Sequence, residues 1–361
     1  MPAAKRATDR YCRRSRCSPH PLPAHSPHAA SGVATTFVVS SSDATRANPM
    51  TPADWTTSPV AWLWIPITLW AAFAQTVRNA AQRHLTTALG TLGATLVRFL
   101  YGVPFALAWL GIVHVWTGAG LPVPNVRWFL WVFFGAATQI LATAFLLLTM
   151  QQRNFALGVA YARSDAVQVA LFGMLFLGDA LSPVAITAVG LGTLAMLMLS
   201  PADPEHPWRA LVTGWTSPTA LLGLASGAGF AISAVAYRGA ALALPATPFL
   251  MSAASSLVAA QLIQTVLLGG WLLARDAPVV VRVVKAWRES LLAGFMGAAA
   301  SAGWFTAFAI ETAAHVRTLG LVELVLSLAV SRKFFREPVA RREVIAIAFL
   351  MVGVAAITLL R

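Results

Sequence analysis

The sequence predicts an all-α polytopic membrane protein of ten transmembrane helices in two inverted five-helix repeats. Three observations carry this. Hydrophobic residues make up 58% of the 361 and charged residues 11%, against roughly 45–50% and about 25% in a soluble domain. Ten apolar runs reach the roughly 20 residues that a bilayer core requires of a helix. Finally, the stretch from Asn154 to Ser200 returns in near copy from Ala313 to Leu360.

Taken in order, residues 1–59 are rich in Arg, Pro, Ser, His and Thr and show no apolar period. Such a tail buries too little surface to offset its ordering entropy, so disorder is expected. It lacks the 7–15-residue apolar core of a signal peptide. Met50 is a second candidate start, which would make the first 49 residues an extension. Cys12 and Cys17 lie in this tail without a partner at metal spacing, so neither a disulfide framework nor a zinc site follows.

The first repeat, 60–200, has spans at 60–81, 89–114, 127–150, 155–176 and 181–200. A polar linker, 201–217, leads to the second, 218–361, with spans at 218–241, 248–273, 290–312, 315–335 and 341–360. Short connectors make successive spans antiparallel. Five is odd, so the second half enters the membrane in the opposite sense, as in many secondary transporters.

Matching positions extend beyond the terminal hairpins. Val77-Arg78-Asn79-Ala80-Ala81 at the end of span one answers Tyr237-Arg238-Gly239-Ala240-Ala241 at the end of span six. Subtracting 158 from Glu337 gives Asp179, and from Glu323 gives Asp165. Gly223 and Gly227, and the Gly, Ala and Ser run from Gly294 to Gly303, suit close helix contact. Pro66 and Pro104 are expected to kink spans one and two.

The loop charges orient the chain. Thirteen basic residues fall on one side: Arg78, Arg83, Arg153, Arg209, Arg275, Arg282, Lys285, Arg288, Arg332, Lys333, Arg336, Arg341 and Arg342. Four fall on the other, Arg127, Arg238, Arg317 and Arg361, plus seven in the tail, which pull the other way if the tail is present. The positive-inside rule places the thirteen in the cytoplasm, with both termini outside if translation starts at Met50. The net charge of +13 therefore reads as insertion signals and lipid contacts rather than nucleic-acid binding.

Leu177-Gly178-Asp179-Ala180-Leu181-Ser182 and Phe335-Arg336-Glu337-Pro338-Val339, followed by Gly190, Gly192 and Gly353, resemble the repeat-closing corners of the EamA branch of the drug/metabolite transporter superfamily. The resemblance covers about residues 60 to 360. It implies ten helices in two five-helix repeats and a permease function, with a bacterial cytoplasmic membrane as the expected location. Asp179 stands for the family's Glu, and Arg336 for its usual Gly. The Pro often found in the family's fourth and ninth helices is missing; Asp165 and Glu323 stand within a residue of that place.

A charged side chain at mid-bilayer costs about 2.5–3.5 kcal/mol on insertion scales, so each needs a reason. Arg98 lies roughly 14 Å into span two at about 1.5 Å per residue. Arg163 and Asp165 lie in span four, and Glu323 in span nine. Two apart on a helix, Arg163 and Asp165 should point to different faces, so Asp165 is expected to meet a charge from another helix, with Arg98 the first candidate. The functional expectation is a central polar cavity lined by Arg98, Arg163, Asp165 and Glu323, with Tyr161, Gln139, Gln168 and Trp304 as further contacts. An Arg there would hold a carboxylate or phosphate, and a desolvated carboxylate could carry a proton. Buried ion pairs that fix helix register are the structural alternative.

A secondary carrier of a small polar or anionic metabolite, working by alternating access, fits best. The partners it implies are a small-molecule substrate and the bilayer, with protons as a candidate coupling ion and a second copy as a candidate neighbour. No nucleic acid, metal or cofactor is expected. A membrane enzyme is disfavoured: His84, His114, His206 and His315 lie at span ends or in loops, and no nucleophile elbow, HExxH or paired-carboxylate motif occurs. A non-transporting scaffold or receptor is the remaining alternative.

Overall fold

The structure, a computed structural model, describes residues 62–152, 155–178 and 218–336, with a few single positions beyond them. All lie in one compact unit, Met50–Arg361. The expected tail, linker and spans 181–200 and 341–360 lie outside the described residues, as do the corner acids Asp179 and Glu337.

The described chain is helical, and no strand occurs among its residues. Six segments are long and apolar enough to cross a membrane: Trp64–Thr117, Val126–Gln152, Pro218–Leu242, Phe249–Arg275, Trp287–Ile310 and Ala313–Lys333. This is the make-up of an integral membrane protein. Leu69, Trp70, Phe73, Phe129, Phe134 and Val266 stand exposed on the outside, as expected where lipid replaces water as the neighbour.

Helix α1 (Trp64–Leu100) is two legs rather than one rod. Gly90 takes φ 72°, ψ 173°, a region open essentially to glycine alone. Beyond it the chain doubles back: the Gln82 side-chain amide donates to the Ala94 carbonyl at 2.8 Å, twelve positions on. In a straight helix those residues would stand about 18 Å apart. The second leg pauses at Tyr101-Gly102 and resumes as α2 (Val103–Thr117), with Pro104 in the first turn. The expected kink at Pro104 is thus a break. Pro66 kinks nothing: it lies in the first turn of α1, where its missing N–H is no loss.

Helix α3 (Val126–Gln152) follows, then α4 (Phe155–Ala162) and α5 (Asp165–Leu177). These last two are the expected fourth span, broken at Arg163-Ser164. After the linker come α6 (Pro218–Leu242) and α7 (Phe249–Arg275). The short α8 (Ala277–Lys285) was expected as loop; it turns Val279 and Val283 inward and Arg282 and Lys285 outward. Nine residues are too few for a span. Helix α9 (Trp287–Ile310) leads to α10 (Ala313–Leu319), a 3-10 turn (Gly320–Val322) and α11 (Glu323–Lys333). The expected ninth span is therefore broken as well.

Small residues set the packing. The legs of α1 lie along α9, and α3 along α6. A methyl built on Gly303 would stand 2.8 Å from the Ala71 Cβ, and one on Gly294 would stand 2.7 Å from the Tyr101 backbone. Gly223 abuts the Tyr161 Cβ, and Gly227 abuts Ser164 in the α4–α5 break. Such backbone approaches supply dispersion contacts between helices where no hydrophobic force separates helix from lipid.

Candidate functional site

The two broken helices carry the site. Ser164 ends one break and Val322 the other, so Asp165 and Glu323 are each the first residue of the resumed helix. Each acid thus starts a resumed helix that follows a tight turn with its backbone hydrogen bonds kept: the Ala166 N–H donates to the Arg163 carbonyl, and the Glu323 N–H to those of Gly320 and Leu321. Helix α4 packs on α11, and α5 on α10. The first half of each broken helix therefore meets the second half of the other.

At this crossing the ion pairs are exchanged. Arg163 Nη2 lies 3.1 Å from Glu323 Oε2, and Arg317 Nη1, on α10, lies 3.2 Å from Asp165 Oδ2. Arg163 Nη1 also reaches Asp165 Oδ2 at 3.5 Å. None of the four side chains is more than 3% exposed. Two sequence expectations change here. Arg163 and Asp165 do approach, because the break suspends the helical geometry that would have parted them. The partner of Asp165 on another helix is Arg317, not Arg98.

Glu323 is held from α1 too. Gln75 Nε2 donates to Oε2 at 2.7 Å, and Asn79 Nδ2 to Oε1 at 2.9 Å. Trp304 Nε1 donates to Gln75 Oε1 at 2.8 Å, while the Arg317 guanidinium stacks 4.8 Å from the Trp304 ring centre. Arg78 donates to Asn79 Oδ1 from Nη2 at 2.6 Å and from Nε at 3.2 Å.

Arg98 adjoins this cluster and points elsewhere. Its Nη1 donates to Thr143 Oγ1 at 2.9 Å. Beside it, Gln139 Oε1 accepts from Gln264 Nε2 at 2.7 Å and from the Tyr237 hydroxyl at 3.0 Å. Arg98 and Arg78 lie together over Gly297 of α9: a methyl built there would stand 3.2 Å from Arg98 Cγ and 3.4 Å from Arg78 Cδ.

Of the sequence-predicted residues, Arg163, Asp165 and Glu323 thus meet directly, Trp304 joins them through Gln75 and Arg317, and Arg98 and Gln139 form the adjoining polar patch. Gln168 donates to Ser164 Oγ at 3.0 Å in the α4–α5 break. Tyr161 is half-buried against Gly223. Sequence reasoning missed Arg78 and Arg317, which were counted as loop charges and are 0% and 3% exposed. Removing both leaves the loop count at twelve against three, so the positive bias stands. Asn79 and Tyr237 stand out in the sequence only as repeat markers, yet both make polar contacts here.

Two hollows flank the cluster, at opposite ends of α9. One, of about 440 Å³, is lined by Arg238, Thr247, Ser252 and Ile310 among others. The other, of about 400 Å³, is lined by Val77, His84, Glu289 and Phe334 among others. Among the described residues no group of His, Cys, Asp and Glu gathers in a way that could hold a metal.

Comparison with known proteins gives the fold and no more. A solved structure described only as "Crystal structure of protein" aligns with a TM-score of 0.57 at 19% identity, over 82% of this chain and 99% of its own. The arrangement of helices is thus one already seen. No family model and no curated protein matches the chain.

Proposed function

We propose that the protein is a secondary transporter of a small polar or anionic metabolite, of the EamA type, working by alternating access in a bacterial cytoplasmic membrane. The carrying observation is the crossing of two broken helices, each resuming on a buried acid bound by an arginine of the other. Irregular backbone at membrane depth is tolerated where it is enclosed by protein or lines a wet cavity, and paired broken helices are the usual frame of a carrier's binding site.

Further support comes from the matched spacing. The acids at 165 and 323 differ by 158, and so do Gly178 and Arg336, which end α5 and the α11 region in the left-handed conformation. Ten helices in two inverted halves account for both coincidences. Hollows at the two ends of α9 with a closed charged centre between them suit a state in which the substrate site faces neither side. Proton coupling through Asp165 or Glu323 would require the acid to leave its arginine during the cycle.

The test is uptake into proteoliposomes with and without a pH gradient. Arg98→Ala and Asp165→Asn are expected to abolish flux while the protein still inserts. Flux surviving both changes would leave the crossed ion pairs as register staples, and absence of flux in the unaltered protein would favour the scaffold reading.

A further inference from the structure

We infer that Arg78 and Arg98 form an anion subsite, and that its ligand is a small soluble molecule carrying two negative charges, such as a dicarboxylate or a phosphate monoester. This rests on the transporter reading for its purpose, but not for its chemistry. Six ionisable groups share the centre: Arg78, Arg98, Arg163, Arg317, Asp165 and Glu323, none more than 3% exposed. The two carboxylates are engaged by Arg163 and Arg317. Arg78 and Arg98 meet no carboxylate within ion-pair distance among the described residues, so among those residues two positive charges stay uncompensated. The remaining buried acid, Glu311, sits at the end of α9 and receives His315 and the Thr312 N–H.

Geometry brings the stems of the two surplus cations to one place. They come from the two legs of α1, and Arg98 Cγ and Arg78 Cδ both lie over Gly297, where the absence of a side chain leaves room for them, while the guanidinium groups reach on to Thr143 and Asn79. Each retains an unused donor: Arg78 Nη1 and Arg98 Nε have no partner among the described residues. An uncompensated guanidinium in a dry interior is among the costliest features a fold can carry. Two of them side by side also repel. A ligand bearing two negative charges removes both costs, whereas a singly charged ligand removes half. Guanidinium forks suit planar carboxylates and phosphates alike, and Thr143 with the Gln139–Tyr237–Gln264 patch can orient the rest of the molecule.

The experiment uses the full chain purified in detergent, with thermal unfolding followed against succinate, inorganic phosphate, butyrate and succinamide at matched ionic strength. Ligand binding only the folded form raises the transition temperature. Succinate or phosphate is expected to raise it saturably, with apparent affinity at least tenfold above that for butyrate. Arg78→Gln is expected to abolish this response and to raise the transition temperature of the ligand-free protein, since it removes an unpaired buried charge. A merely structural arginine would do the opposite. Arg78→Lys should restore part of the response. Equal shifts with butyrate and succinate, or a lower ligand-free transition in Arg78→Gln with the succinate shift intact, would overturn the inference. So would stabilisation seen only in nanodiscs containing phosphatidic acid, which would assign the site to a lipid headgroup. Counterflow in proteoliposomes separates the two readings: dianion binding without flux refutes transport alone, and flux of a neutral solute without dianion binding refutes the subsite alone.

Discussion

Arg163, at the break in one helix, meets Glu323, the first residue after the break in another, at 3.1 Å. With the Arg317–Asp165 contact at 3.2 Å, this ties each broken helix to the other at its break, where α-helical backbone hydrogen bonds give way to tighter i+3 bonds. The bond is reciprocal, so removing one charge strands another. Breaking a buried pair by truncating one partner typically costs about 3–5 kcal/mol, whereas replacing both partners by apolar residues is often neutral. Arg317→Leu and Asp165→Leu should therefore each lower stability by about that amount. The double variant should lose clearly less than the sum, measured by denaturant unfolding in detergent micelles. Some loss should persist, because Arg317 also stacks on Trp304 and Arg163 would lose its contact to Asp165. Strict additivity of the two single changes would contradict the crossed arrangement.

Arg336 takes φ 55° in a place where glycine is at ease and other residues are strained by roughly 1–2 kcal/mol. It is exposed, so no tertiary contact of a buried side chain is at stake. Arg336→Gly is expected to stabilise the protein by about 1 kcal/mol. The neighbouring Lys333→Gly, at the last residue of α11, should instead destabilise it slightly through lost helix propensity. Opposite signs at two positions three residues apart, read by thermal unfolding, would tie the effect to backbone conformation. A destabilised Arg336→Gly would contradict the left-handed assignment.

The contact between α6 and the α4–α5 break gives a third expectation. A methyl built on Gly227 meets the Ser164 hydroxyl and would stand 3.0 Å from the Ala162 carbonyl and 3.1 Å from the Asp165 N–H. Backbone cannot move aside as a side chain can. Gly227→Ala should displace the break and with it Arg163 and Asp165, costing about 1–3 kcal/mol by overpacking and at least tenfold in flux. Gly270→Ala on α7, with nothing within 4 Å of the added methyl, should leave flux unchanged. Equal flux in the two variants would mean that the break can shift freely without consequence.

What the sequence disclosed follows the strength of each physical signal. Apolar length is nearly sufficient for a span, and 127–150, 218–241 and 248–273 match α3, α6 and α7 within two residues at each end. The chemistry of the site was legible where a charge stood deep in an apolar run, as at Asp165 and Glu323. It was hidden where the run was misjudged at its edge. Arg78 lies eleven residues before Leu89, the last residue of its leg, not at a span end, because the hairpin turns at Gly90 rather than near 82–88. Arg317 follows the α9–α10 corner by only a few residues yet is drawn inward by the break that follows it. Pairing was not legible at all: it depends on which halves of two interrupted helices cross, and no period in the chain encodes that.

The end of the bundle below this crossing is closed by aromatic contacts. The Phe155 and Phe335 rings, from the start of α4 and the residues after α11, stack with centres 5.4 Å apart. The Arg83 guanidinium lies 4.3 Å from the Phe335 ring centre and 5.8 Å from that of Phe155. An aromatic pair and a cation over a ring contribute on the order of 0.5–1.5 and 0.5–2 kcal/mol respectively. Truncating the ring they share should shift the balance between closed and open forms of this end by roughly tenfold, since about 1.4 kcal/mol corresponds to that factor. The reporter is Ser327→Cys, fully buried one turn beyond Glu323, in a background carrying Cys12→Ser and Cys17→Ser. Adding Phe335→Ala should raise its rate of labelling by a membrane-impermeant maleimide about tenfold from the side bearing Arg83 and leave labelling from the other side unchanged. Acceleration from both sides would indicate general loosening, and no acceleration would show that these rings do not hold that end shut.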